Sequence, residues 1–269
     1  MNTARLDAMG TSPLTAVRAQ LGIVAGLLAA AGSAWWVTAE RMAGMDAGPG
    51  TALGSVGWFT GVWATMMAAM MLPSLAPAAA SFAASTRARR LVALFAGGYL
   101  LVWTVAGLAA YGLFELGRSA FGGSLAWHDG GRWLAAGTIA IAAIYQLTPL
   151  KRAFLSRCRS PLGVLPAGVG AAPRSALTAG VRNGGWCLGC SWALMAALFA
   201  LGVMSLVWMA LIAALVAVEK VAPAGRAPRM ATAGVLMVLA AAILTASRDV
   251  PGFVVPAPSP AHQTMRVMG

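Results

Sequence analysis

The apolar residues of this chain are grouped in long blocks, with the polar and charged residues gathered between them. Seven blocks stand out, near residues 19–39, 57–83, 91–116, 132–150, 176–200, 203–221 and 229–247. A helix crosses the hydrocarbon core of a bilayer with about 20 mostly apolar residues. The pattern therefore predicts an all-α, polytopic bundle of about seven transmembrane helices. The fifth and sixth blocks are separated only by Leu201 and Gly202, and residues 186–218 carry no charge. At about 1.5 Å per residue that stretch would reach about 50 Å as one helix, too long for a core of about 30 Å. Two shorter helices joined by a tight turn at Gly202 fit better.

The first block, Ala19 to Ala39, exceeds the length of a signal-peptide core and reads as an uncleaved anchor. The second carries Pro73 and Pro77, which remove backbone donors and favour a kink with carbonyls left for a partner. Residues 151–183 form the longest polar interval. Pro161, Pro166 and Pro173 make its first half irregular, and its second half either begins the fifth helix or lies along the interface. The organisation expected is a cytoplasmic segment over residues 1–18, one transmembrane domain over 19–247, and a Pro-rich disordered tail over 248–269.

Composition agrees with a protein whose solvent is lipid. Of the 269 residues, 59% are hydrophobic and only 10% charged, against about 25% charged in a soluble domain. The net charge of +12 is distributed by topology and forms no single patch. With the N-terminus inside, the inner segments hold Arg5 and Arg18; Arg87, Arg89 and Arg90; Lys151, Arg152, Arg157, Arg159, Arg174 and Arg182; and Lys220, Arg226 and Arg229. The outer segments hold Arg41, Arg118, Arg132, Arg248 and Arg266, so the split is fourteen to five. The asymmetry alternates at every loop, which predicts an N-in, C-out orientation and requires no nucleic acid partner.

Against this background a few side chains stand out. Cys187 and Cys190 are three residues apart, so on a helix they share a face, and Gly189 between them leaves room for another helix to approach. Such a pair binds soft ions such as Cu(I) or Zn(II), cycles through a disulfide, or packs as two small hydrophobes. Met66, Met67, Met70 and Met71 offer four thioethers within six residues; they are soft donors for Cu(I) or apolar filler. Met209 lies at mid-depth of the sixth block. Glu219 closes the same block as a ligand, a proton acceptor or an interfacial ion pair. Cys158, flanked by Arg157 and Arg159 in a setting that favours a thiolate, is either a capture ligand or a solvated thiol. Tyr145, Gln146 and Thr148 form a polar patch at the inner end of the fourth block. His128 and His262 are the only histidines, and no HExxH, GxSxG or Gly-rich phosphate loop is present, so hydrolytic or nucleotide-driven chemistry has no candidate residues.

Seven strings follow one another along the chain: MMAAMMLP at 66–73, YQLTPLK at 145–151, CRSPLG at 158–163, CLGCSWALM at 187–195, GVM at 202–204, WM at 208–209 and EK at 219–220. Over residues 60–220 they resemble the bacterial family of predicted metal-binding integral membrane proteins, domain of unknown function 2182. The resemblance implies a polytopic protein of the bacterial inner membrane, with metal binding and a copper-chaperone-like role, and a client cuproenzyme as partner. It also implies a third cysteine after the pair, where this chain has Ser191. Two other readings remain open at this point: a membrane thiol-disulfide oxidoreductase, and a metal-free scaffold or assembly factor.

Overall fold

The computed structural model describes residues 13–42, 53–86, 89–121, 131–159, 172–202, 205–222 and 225–245. Among them the structure is all-α and contains no strand. The helices are α1 (Pro13–Met42), α2 (Val56–Thr86), α3 (Val92–Phe121), α4 (Arg132–Leu147), α5 (Pro149–Arg159), α6 (Pro173–Gly202), α7 (Leu206–Val221) and α8 (Ala227–Thr245), with a single 3-10 turn at Arg89–Leu91. Five helical stretches are long and apolar enough to cross a membrane: Gln20–Met42, Val56–Thr86, Arg89–Gly117, Pro173–Gly202 and Ala227–Thr245. A sixth arises if α4 and α5, bent by 69° at their junction, count as one broken span. The 16 residues of α7 extend about 24 Å, short of a full crossing. The N-terminal segment before Pro13 and the Pro-rich tail lie outside the described residues.

The turn expected at Gly202 is present. α6 ends there with φ at 109°, a conformation open to glycine at little steric cost, and Ser205 N–H donates to the Gly202 carbonyl at 3.1 Å. α2 continues through Pro73 and Pro77 as one helix of 31 residues. Within the interval 151–183 the departure from expectation lies in the first nine residues, which are helical because Thr148 and Pro149 start a helix; Pro161 and Pro166 lie outside the described residues. The Thr148 hydroxyl accepts from the Lys151 backbone N–H at 3.2 Å, and Pro149 occupies the first helical position, where its missing N–H costs nothing. Pro173 opens α6 in the same way, which takes Arg174 and Arg182 out of the loop and onto the helix.

The chain divides into two compact units, each assembled from separated segments. One comprises residues 1–38, 60–107 and 153–190; the other comprises 39–59, 108–152 and 191–269. In the first, α3 and α6 meet backbone to backbone. A side chain at Gly98 would collide with the Leu177 carbonyl, and one at Gly180 with the Phe95 carbonyl. Such close approach through small residues is how helices associate where lipid removes the hydrophobic drive. α2 joins them through Trp63, whose indole N–H donates to the Trp103 carbonyl at 2.7 Å over the bare face of Gly107, and through Phe82 stacked on Phe95 at 4.9 Å. In the second unit, α4 packs on α8, burying Ala135, Ala136, Ile139 and Ala142 on one helix and Ala233, Leu236, Ala240 and Ile243 on the other.

Candidate metal centre

In the first unit α6 carries Cys187 and Cys190 on one face, 0% and 1% exposed. The reading of Gly189 as a place of close approach holds. The ring of Phe154 on α5 occupies the space that a Cβ on Gly189 would fill. α5 therefore lies against α6 at the level of the pair, and four residues beyond Phe154 it presents Cys158. The three sulfur atoms all lie within 4.8 Å of one another. Around one ion, with metal–sulfur bonds of about 2.3 Å, sulfurs sit about 4 Å apart. Less than an ångström of closure would bring all three into a single coordination shell. Among the described residues this is the one group of three or more His, Cys, Asp or Glu side chains so placed.

Cys158 therefore lies beside the other two thiols, and its sulfur comes from a different helix. Cys187 and Cys190 are buried and Cys158 is half-buried. The Tyr99 hydroxyl stands 2.9 Å from Cys187 Sγ, and Cys190 Sγ donates to the Cys187 carbonyl at 3.2 Å. Tyr99 is fully buried on α3 and is set at this height by the Gly98 and Gly180 contacts. The sequence reading missed it. The available signal was a phenol following two glycines in the apolar first turns of α3. Asn183, one turn before Cys187 on the same face, is also buried, and its side-chain carbonyl has no hydrogen-bond partner among the described residues.

Met66, Met67, Met70 and Met71 belong to the same unit, and all four are buried in α2. Met209 and Glu219 belong to the second unit, where both are buried. There Glu219 Oε2 accepts from Lys151 Nζ at 2.6 Å, with the side chains 2% and 0% exposed. This is an ion pair, but a buried one, made with Lys151 from the first turn of α5. The polar patch of the fourth block forms the same corner: Thr148 Oγ1 donates to the Tyr145 carbonyl at 2.8 Å, and Gln146 is wholly buried.

A methyl group at Gly189 is expected to open the sulfur cluster. Alanine there must displace the Phe154 ring, at an overpacking cost of about 1–3 kcal/mol, and with it the helix that carries Cys158. The measurable result is a weakening of soft-metal affinity by about 10–100-fold, as for loss of a group that orients a ligand. The double variant Gly189→Ala/Phe154→Ala should regain most of it, because the ring no longer obstructs the methyl.

Three thiols at this separation make a soft, potentially anionic donor set, suited to Cu(I) and able to hold Zn(II). The family comparison points the same way. A family model described as PpoB2: Copper chaperone matches residues 60–243, a span that contains all three cysteines and the four α2 methionines. No curated protein and no solved structure gives a match.

Proposed function

Because this chain belongs to the PpoB2 copper chaperone family, we propose that it holds Cu(I) on Cys158, Cys187 and Cys190 within the inner membrane and passes it to a client cuproenzyme. One observation carries the reading: three thiols drawn from two helices, two of them fully buried, lie within 4.8 Å of one another. Buried thiols with no redox or metal role do not need to converge. A dithiol that cycled through a disulfide would use two sulfurs and leave the third without a purpose. Copper is cargo in this reading, and the protein carries out no covalent chemistry of its own.

The topology that goes with this function has seven crossings, N-in and C-out, with α4 as a short fourth and α7 as a short sixth, and with α5 on the inner side. The fourteen-to-five division of basic residues supports it. The cysteines then lie toward the cytoplasmic side. The α2 methionines, in the same unit, offer neutral thioethers to which Cu(I) moves after leaving the thiolates. Met209 is a candidate for a later step. Glu219, occupied by Lys151, serves the fold before it serves the metal.

The test is an anaerobic Cu(I) titration of the purified full chain against a competing chelator, followed by X-ray absorption at the copper edge. One tightly held ion with about three sulfur neighbours is expected. A chain that retains no copper, or holds it through nitrogen and oxygen alone, overturns the reading.

A further inference from the structure

The three sulfurs are not equivalent, and the difference lies at Cys158. Cys187 and Cys190 are sealed inside α6 contacts, whereas Cys158 is half-buried on the last turn of α5. Beside it the chain is uniformly cationic. Arg157 is exposed, and its guanidinium lies 4.5 Å above the ring of Trp186, the residue that precedes Cys187. Trp186 in turn packs on Phe154 at 5.8 Å, so the Arg157 charge lies beside the residues that flank the cluster. Arg174 and Arg182 are exposed on the first turns of α6. No Asp or Glu occurs anywhere between Asp129 and Glu219, so no carboxylate of this segment offsets those charges. A site built to capture a bare cation from water would have the opposite sign at its opening.

Resting on the copper reading above, we infer that the cargo arrives as an anionic Cu(I)–thiolate complex and is exchanged at Cys158. A Cu(I) ion between two thiolates carries one net negative charge. Arg157 draws that complex to the opening, and Cys158 Sγ bonds to the copper. One carrier sulfur leaves and takes the proton that the Cys158 thiol gives up. Copper remains Cu(I) throughout, and no oxidant or reductant is required. Cys187 then displaces the second carrier thiolate by the same exchange, and Cys190 completes the shell, its proton passing to bulk water. The two buried thiols provide retention, and the half-exposed one provides access.

Rapid-mixing kinetics on the full-length protein in detergent test this with three copper sources: the cationic acetonitrile complex, the Cu(I)–glutathione complex, and an acidic synthetic peptide with a Cu(I)-loaded CxxC pair. Uptake from both thiolate sources should slow as salt rises, whereas uptake from the acetonitrile complex should not. Arg157→Gln should slow the thiolate sources several-fold and leave the acetonitrile source unchanged or faster. Arg157→Lys, which keeps the charge, should restore the rate. Cys158→Ser should slow the thiolate sources while the two buried thiols still load at equilibrium. A faster reaction with the peptide identifies a protein donor, and a faster one with glutathione a small-molecule donor; either supports the inference. Salt-insensitive thiolate uptake by the unaltered protein overturns it, as does equal slowing of all three sources by Arg157→Gln. Failure of the chain to bind copper from any source counts against the copper reading itself, so the two failures are distinguishable.

Discussion

Serine at position 187 or 190 is expected to lower Cu(I) affinity by more than about a hundredfold while leaving the helices assembled. Loss of a group that merely orients a ligand costs about 10–100-fold, and removing the ligand itself costs more. Oxygen for sulfur is a nearly isosteric change, but it turns a soft donor into a hard one that Cu(I) binds poorly. The packing should tolerate it. A hydroxyl at 187 still meets the Tyr99 hydroxyl now 2.9 Å from the sulfur, and a hydroxyl at 190 still reaches the Cys187 carbonyl now 3.2 Å away. Serine commonly makes that backbone bond within a helix. Cys158→Ser should cost less at equilibrium, because Cys187 and Cys190 remain as a two-thiolate pair. Chelator competition measures the affinities, and circular dichroism with thermal unfolding reports on the fold. Unchanged affinity in both the 187 and 190 variants would remove the three-sulfur site from consideration.

What could be read from the sequence was whatever depends on a residue and its near neighbours. The Gly202 turn was legible because a charge-free stretch too long for one crossing needs a break, and glycine is the residue that can supply it. The shared face of Cys187 and Cys190 followed from helical periodicity, and the use of Gly189 followed from its lack of a side chain. The same local reasoning misjudged residues 151–159. Pro161, Pro166 and Pro173 suggested an irregular segment, yet Lys151, Leu155 and Cys158 recur at i, i+4 and i+7, the spacing of one helical face. Thr148 followed by Pro149 is a helix start. Contacts between distant segments had no local signature. Nothing near Tyr99 points to Cys187, 88 residues away, and nothing near Cys158 points to α6. Those meetings depend on helix rotation, which small residues such as Gly98 and Gly180 set through backbone contact.

The buried pair of Lys151 and Glu219 is the clearest product of such a long-range contact, and it is where single substitutions should do the most structural damage. Glu219→Ala or Lys151→Ala leaves one charge in an interior that has excluded water, and breaking a pair of this kind costs about 3–5 kcal/mol. That is a large part of the roughly 5–15 kcal/mol by which folded proteins exceed their unfolded states. Lys220 is a poor substitute partner: it is half-buried on the same helix, whereas Lys151 reaches Glu219 from α5 at 2.6 Å. Both single variants should therefore lose yield in detergent extracts and unfold at markedly lower temperature. The double variant Lys151→Met/Glu219→Leu removes both charges and replaces them with apolar side chains of similar length. Exchange of a buried pair for packed hydrophobes is often neutral or favourable, so the double variant should recover most of the stability lost by either single one. It should also bind Cu(I) with wild-type affinity, because neither residue contributes sulfur. If it remains as unstable as the singles, the charges themselves hold α5 against α7. If it is stable but no longer binds copper, Glu219 is acting on the metal and its sequence reading as a ligand or proton acceptor returns.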